Sequence, residues 1–217
     1  MLKDIFTYAY RGSGKYILIC CIVLSVVAKI VALAPLFGAI AGILLSGYFS
    51  AVYFQMIQST ATGNDQAPQF PEMANIFEDI IWPMLQITVV FVVSFGPLFV
   101  YEIAADESKA LISWALLAFG VVYFPMAMLA VVVLGRTSVV SPHIVIPAII
   151  RAGWLHWVSV FMLIFLYVMS NIMENIFSDS LIIGTLVMSA VGAYTLMTQA
   201  RILGVLYRER QDELGWL

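Results

Sequence analysis

The chain has 217 residues, 63% of them hydrophobic and only 11% charged, with a formal net charge of −3 at pH 7. A soluble domain carries about 25% charged residues, so this composition leaves too little polar surface for a water-soluble fold. The mildly acidic balance, without basic runs, excludes nucleic acid as a partner.

Residues 1–15 are short and mixed: Leu2, Ile5, Phe6, Tyr8 and Ala9 alternate with Lys3, Asp4 and Arg11. At helical spacing this gives one apolar face, suited to the headgroup region of a membrane. Lys3, Arg11 and Lys15 ahead of an apolar run, with Ala32-Leu33-Ala34 behind it, have the outline of a cleavable signal. Asp4 and the aromatic residues read instead as an amphipathic segment that is retained. After Gly12-Ser13-Gly14, apolar spans of about 20 residues, the length that crosses a bilayer, follow one another. The first covers 16–34 and is closed by Pro35; the second covers 36–57, and the short turn between them makes a tight helical hairpin. Residues 58–79 form the longest interval without a membrane-grade run, passing Pro68 and Pro71 before an amphipathic piece over 70–77. The third span is 80–103, with Pro83 and Pro97, and the fourth is 110–135, with a kink expected at Pro125. Residues 136–153 repeat the proline-led amphipathic pattern. The fifth span, 154–177, and the sixth, 181–204, end in a polar tail at 208–217.

The expected fold is therefore all-α: six transmembrane helices in three hairpins, each preceded by a short interfacial amphipathic helix. It reads as one transmembrane domain with repeat-like units at about 1–57, 58–135 and 136–207. Lysine and arginine orient it. With both termini cytoplasmic, Lys3, Arg11, Lys15, Arg136, Arg151, Arg208 and Arg210 fall inside and Lys109 falls outside.

No catalytic signature is present, so no enzyme is expected. Adjacent Cys20 and Cys21 offer neither a disulfide framework nor a zinc spacing. The two histidines do not face each other at mid-membrane as haem ligands would, so no cofactor is expected. His143 reads as water-facing, and His156, between Trp154 and Trp157, as interfacial. Ionisable residues within spans are expensive and hence candidates for function: Lys29, Glu102, Glu174, and Arg201 at the inner end of the sixth span. Lys29 snorkels outward or pairs with Glu102 or Glu174. Gln86, Ser94, Ser113 and Ser189 are the weaker polar candidates at mid-depth. Packing signals are firmer. Gly38, Gly42 and Ser46, with Gly47 beside the last, form a small-residue face on the second span. Thr185, Ser189 and Ala193 repeat it on the sixth, so both faces invite close helix approach, within the chain or by a partner.

Three stretches carry a resemblance: SGYFSAVYFQMIQSTATGNDQAPQFPE, SPHIVIPAIIRAGWLHWV and ARILGVLYRERQDELGW. Together they resemble a family of uncharacterised prokaryotic multi-pass membrane proteins and, more distantly, the membrane domain fused to some glycerophosphodiester phosphodiesterases. The resemblance implies a helical-hairpin fold in a prokaryotic inner membrane and carries over no catalytic residue. It also implies that Arg201, Gly204, Tyr207 and Arg208 form a packed, charged inner end. The function expected is that of a non-catalytic accessory or scaffold subunit, with membrane lipids and other membrane subunits as partners. A small-solute or lipid transporter is the alternative.

Overall fold

The computed structural model of the chain describes residues 6–10, 12–31, 35–64, 68, 75–105, 109–177 and 181–216. The side chains at 28, 29, 35–37, 174 and 181–183 lie outside that description. Among the described residues the chain is helical and has no strand. Seven α-helices follow in order: α1 (Gly14–Val31), α2 (Pro35–Ala61), α3 (Trp82–Ala104), α4 (Ala110–Leu134), α5 (Pro142–Ala152), α6 (Trp154–Phe177) and α7 (Leu181–Leu214). Each start has a local cause. The Ser13 carbonyl accepts from the Tyr16 and Ile17 amides to open α1, and α2 begins on Pro35, whose missing amide hydrogen is not needed in a first turn. Gly153, at φ 60° and ψ −139°, separates α5 from α6 with a backbone that side chains resist. Pro97 and Pro125 lie inside α3 and α4, which each run on as one α-helix.

Five stretches among the described residues are long and apolar enough to cross a membrane: Gly38–Ala61, Phe77–Ala104, Ala110–Leu134, Trp154–Phe177 and Gly184–Leu214. The first of the six expected spans is α1; the unbroken stretch of it with described side chains, Gly14–Val27, is shorter than that length.

Of the three interfacial helices expected, α5 is a separate helix that buries Val145, Ala148 and Ala152 and exposes His143 and Arg151. The amino-terminal piece differs. Tyr8–Tyr10 is a turn of 3-10 helix with Tyr8 and Ala9 buried against α1 and α7. Tyr194 Oη holds it there by donating to the Phe6 carbonyl at 3.0 Å. Residues 1–5 and most of 70–77 lie outside the described residues. Of that segment 75–77 is described, and Phe77 there opens a π-helical turn, Phe77–Ile81, that runs straight into α3. The segment read as a polar tail continues α7 to Leu214, which is fully buried. Arg151 Nη1 donates to the Leu214 carbonyl at 3.2 Å, placing a cation at the negative end of that helix.

The central element is α7, in contact with α1, α2, α4, α5 and α6, whereas α3 packs on α2, α4 and the two short turns at its base. The core gathers at the end carrying α5, called here the α5 end. Tyr123 and 125–132 of α4, the second half of α2 and the stretch 197–207 of α7 are nearly all buried there. Two cross-links tie that end: Tyr123 Oη donates to the Val140 carbonyl, and Gln58 Nε2 donates to the Val132 carbonyl at 3.2 Å. At the opposite end Ile40, Ile43, Val100, Ile103, Leu111 and Trp114 are exposed. Among the described residues, burial is concentrated at the α5 end and falls away toward the other.

Candidate functional site

Two of the close glycine crossings lie toward the α5 end. A Cβ on Gly204 of α7 would sit 2.4 Å from Thr60 Cβ and 2.9 Å from the Ile57 carbonyl of α2. A Cβ on Gly47 would sit 2.3 Å from Ile80 Cγ2 and 3.0 Å from the Ile80 carbonyl. No side chain fits at either point, so glycine sets how near the backbones come.

One turn before Gly204 lies Arg201, only 3% exposed. Its Nη1 donates to Thr60 Oγ1 at 3.2 Å and to the Asn64 carbonyl at 3.0 Å, and its guanidinium lies 4.8 Å from the centre of the Tyr8 ring. A guanidinium stays charged when buried, so it needs acceptors and a polarisable face. The loop leaving α2 provides the carbonyl at the negative end of that helix, and Tyr8 provides the ring. One side chain thus ties the amino-terminal turn, the end of α2 and α7 together. Its neighbours follow suit: Tyr207 is buried and stacks on Trp216 with ring centres 6.1 Å apart, and Arg208 is half-buried.

The small-residue faces fall in different surroundings. Gly42 is exposed, and a Cβ added there meets nothing within 4 Å. Gly38 is half-buried, and exposed Ser46 donates to its own Ile43 carbonyl at 2.9 Å with Met84 Sδ 3.4 Å away. Of the α2 set, only Gly47 is buried against a neighbouring element. On α7, Ser189 and Ala193 are buried and Thr185 half-buried. Ser189 and Ala193 line a cavity of about 310 Å³ between α1, α2 and α7, which Ser25, Phe49 and Gly192 also line. The Ser189 hydroxyl is buried with no hydrogen-bond partner among the described residues. No family model, curated protein or solved structure matches this chain.

The other polar candidates separate. Exposed Glu102 accepts from Ser113 Oγ across the α3–α4 hairpin. The side chains of Lys29 and Glu174 lie outside the described residues. Gln86 and Ser94 are buried on α3. His143 is exposed near Ser141, as expected. His156 corrects the expectation of an interfacial ring, because it is fully buried while Trp154 and Trp157 on either side are 65% and 57% exposed. The first turn of α6 aims position 156 at α4, where the imidazole faces the backbone of Val122. Neither ring nitrogen attains hydrogen-bond geometry. Among the described residues no three His, Cys, Asp or Glu side chains come together as a metal site. Sequence reasoning missed the Thr60–Gly204 crossing. Its signal was a glycine three residues after a membrane-embedded arginine, opposite a small β-branched residue at a helix end.

Proposed function

We propose that the chain is a six-span integral membrane protein with both termini on the cytoplasmic side, acting without catalysis as an accessory or scaffold subunit of a larger membrane assembly. Completed by α1, the spans pair as three hairpins, with α5 at the inner interface. Lys15, Arg136, Arg151 and Arg208 lie toward the α5 end and Lys109 at the other, which supports the orientation. The observation that carries the reading is the open backbone at Gly42. In lipid there is no hydrophobic drive between helices, so association depends on close packing at small residues. Close crossings at Gly47, Gly120 and Gly204 are used within the chain, whereas Gly42, like Gly192 on α7, is open to another helix.

The test is Gly42→Leu, followed by extraction from native membranes in mild detergent. The folded yield and melting should match wild type, because Gly42 is exposed and a Cβ there meets no described atom within 4 Å, while comigration with partner subunits is lost. A variant that keeps the assembly, or a wild type that leaves the membrane alone, removes the reading. A second reading, a carrier of a small solute or lipid, is favoured by the 310 Å³ cavity beneath the Ser189 hydroxyl. A monomer extracted with one lipid tightly bound would support it.

A further inference from the structure

A second cavity, of about 270 Å³, lies at the α5 end between α2, the π-helical turn, α3 and the end of α4. Two carboxylates line it, Glu78 and Asp79, together with three amides, Gln55, Gln58 and Gln86. Phe54 and Trp82 provide aromatic walls, and no lysine or arginine among the described residues lines it. Arg136, next to lining residue Gly135 in the sequence, is exposed and absent from the walls.

Part of this set has a structural purpose. Asp79 Oδ2 accepts from the Asn75 amide at 2.8 Å and so caps the π-helical turn, and acids are favoured at a helix start in any case. Gln58 is committed to the Val132 carbonyl. Helix-start chemistry does not account for the rest. Gln86 lies seven residues beyond Asp79, on the same helical face. It is only 4% exposed and lines the cavity, yet among the described residues no hydrogen bond reaches its amide. A buried amide is ordinarily satisfied, so one left open toward a cavity needs a partner from outside. Glu78, exposed at the mouth, likewise has no hydrogen bond or ion pair among the described residues.

We propose that this cavity binds an organic ammonium cation, held by Glu78 and the Gln86 amide oxygen against Trp82 and Phe54. A carboxylate accepts hydrogen bonds and donates none, an amide oxygen adds an acceptor, and aromatic faces attract a cation. Two carboxylates joined by no third Asp, Glu, His or Cys ligand among the described residues, beside apolar Val131 and Val132, suit an alkylammonium group better than a bare metal ion. The volume equals roughly nine waters at about 30 Å³ each, enough for a small amine. Such a group belongs to a free amine or to an aminophospholipid headgroup.

Purified full-length protein in an uncharged detergent is titrated by calorimetry with ethanolamine hydrochloride and, separately, with short-chain phosphatidylethanolamine, using sodium chloride at matched ionic strength as the blank. Saturable binding of at least one probe is expected, weakened about tenfold in Glu78→Gln through loss of a charge-assisted hydrogen bond. Glu102→Gln, at the far end of α3, leaves binding unchanged. Glu78 is exposed, so its variant keeps the fold, and circular dichroism verifies this. Binding of ethanolamine identifies a soluble amine as ligand, and binding of the phospholipid alone identifies a headgroup. Heats equal to the blank for both probes, or wild-type binding in Glu78→Gln, overturn the proposal and leave a cavity that holds water.

Discussion

The two helices of the α3–α4 hairpin are both strongly apolar, with mean hydropathy 2.0 and 2.4 over their most apolar stretches, yet 11% of that stretch is buried in α3 and 56% in α4. Burial here follows position relative to α7, and apolar content does not predict it. Helix α4 touches α7, α5 and α6, whereas α3 touches neither α6 nor α7. The same division separates the ends of the bundle. At the α5 end, glycines allow close crossings, and hydroxyls and carbonyls meet the polar groups. Toward the other end the chain leaves apolar side chains exposed and Gly42 open, although Gly184 lies close against the Phe177 carbonyl. In lipid, exposing leucine costs little, so a membrane helix is held by fit and polar satisfaction.

The comparison is broken most severely at the tightest crossing. Gly204→Leu places a side chain where even a Cβ meets Thr60 at 2.4 Å and the Ile57 carbonyl at 2.9 Å. Overpacking of about 3 kcal/mol should show as loss of monodisperse protein in detergent, while Gly42→Leu remains monodisperse. Equal behaviour of the two variants would mean that the ends do not differ in packing. A smaller loss is expected from Arg201→Met, which removes two charge-assisted hydrogen bonds and leaves Thr60 and the Asn64 carbonyl to find other partners. About 2 kcal/mol is expected, measured by denaturant titration in detergent and accompanied by faster proteolysis near residue 10 as the Tyr8 contact goes. His156→Leu sharpens the comparison from the other side. A fully buried imidazole without a well-formed hydrogen bond contributes little, so its replacement by an apolar side chain should change stability by less than about 1 kcal/mol. A larger loss would place a true hydrogen bond at the Val122 backbone.

Much of the architecture was legible in the residues. Apolar length marked out α2, α3, α4, α6 and α7, and Ser141-Pro142 with a period of 3.6 residues marked α5 as a separate amphipathic helix. The part of the candidate site that depends on pairing was not legible. The pattern Gly38, Gly42, Ser46 reads as one face, but a small residue is compatible with both contact and vacancy. Its neighbour Gly47 is the one set against Ile80. His156 reads as interfacial because tryptophans flank it, but at about 100° per residue it lies about 100° from Trp157 and about 200° from Trp154 around α6, so it faces inward while they stay out. Gln86 reads as a weak candidate alone, and becomes a cavity wall through Glu78 and Asp79 from the preceding turn and Gln55 and Gln58 from α2.

The sequence by itself determined that this is an all-helical chain with membrane-length apolar segments, because composition and period are local properties that each segment carries with it. It also determined where some helices start and stop, since Gly153, Pro35 and Pro142 act on their own backbone, although Pro97, Pro125 and Pro147 lie inside helices that run on. Only the tertiary structure decided that α7 is the centre, that Arg201 joins three elements, that the bundle is tight at one end and open at the other, and which glycine is a contact. Those properties belong to pairs of segments far apart in the chain. They depend on whether a backbone comes within 3 Å of a missing side chain, a distance that no single segment encodes.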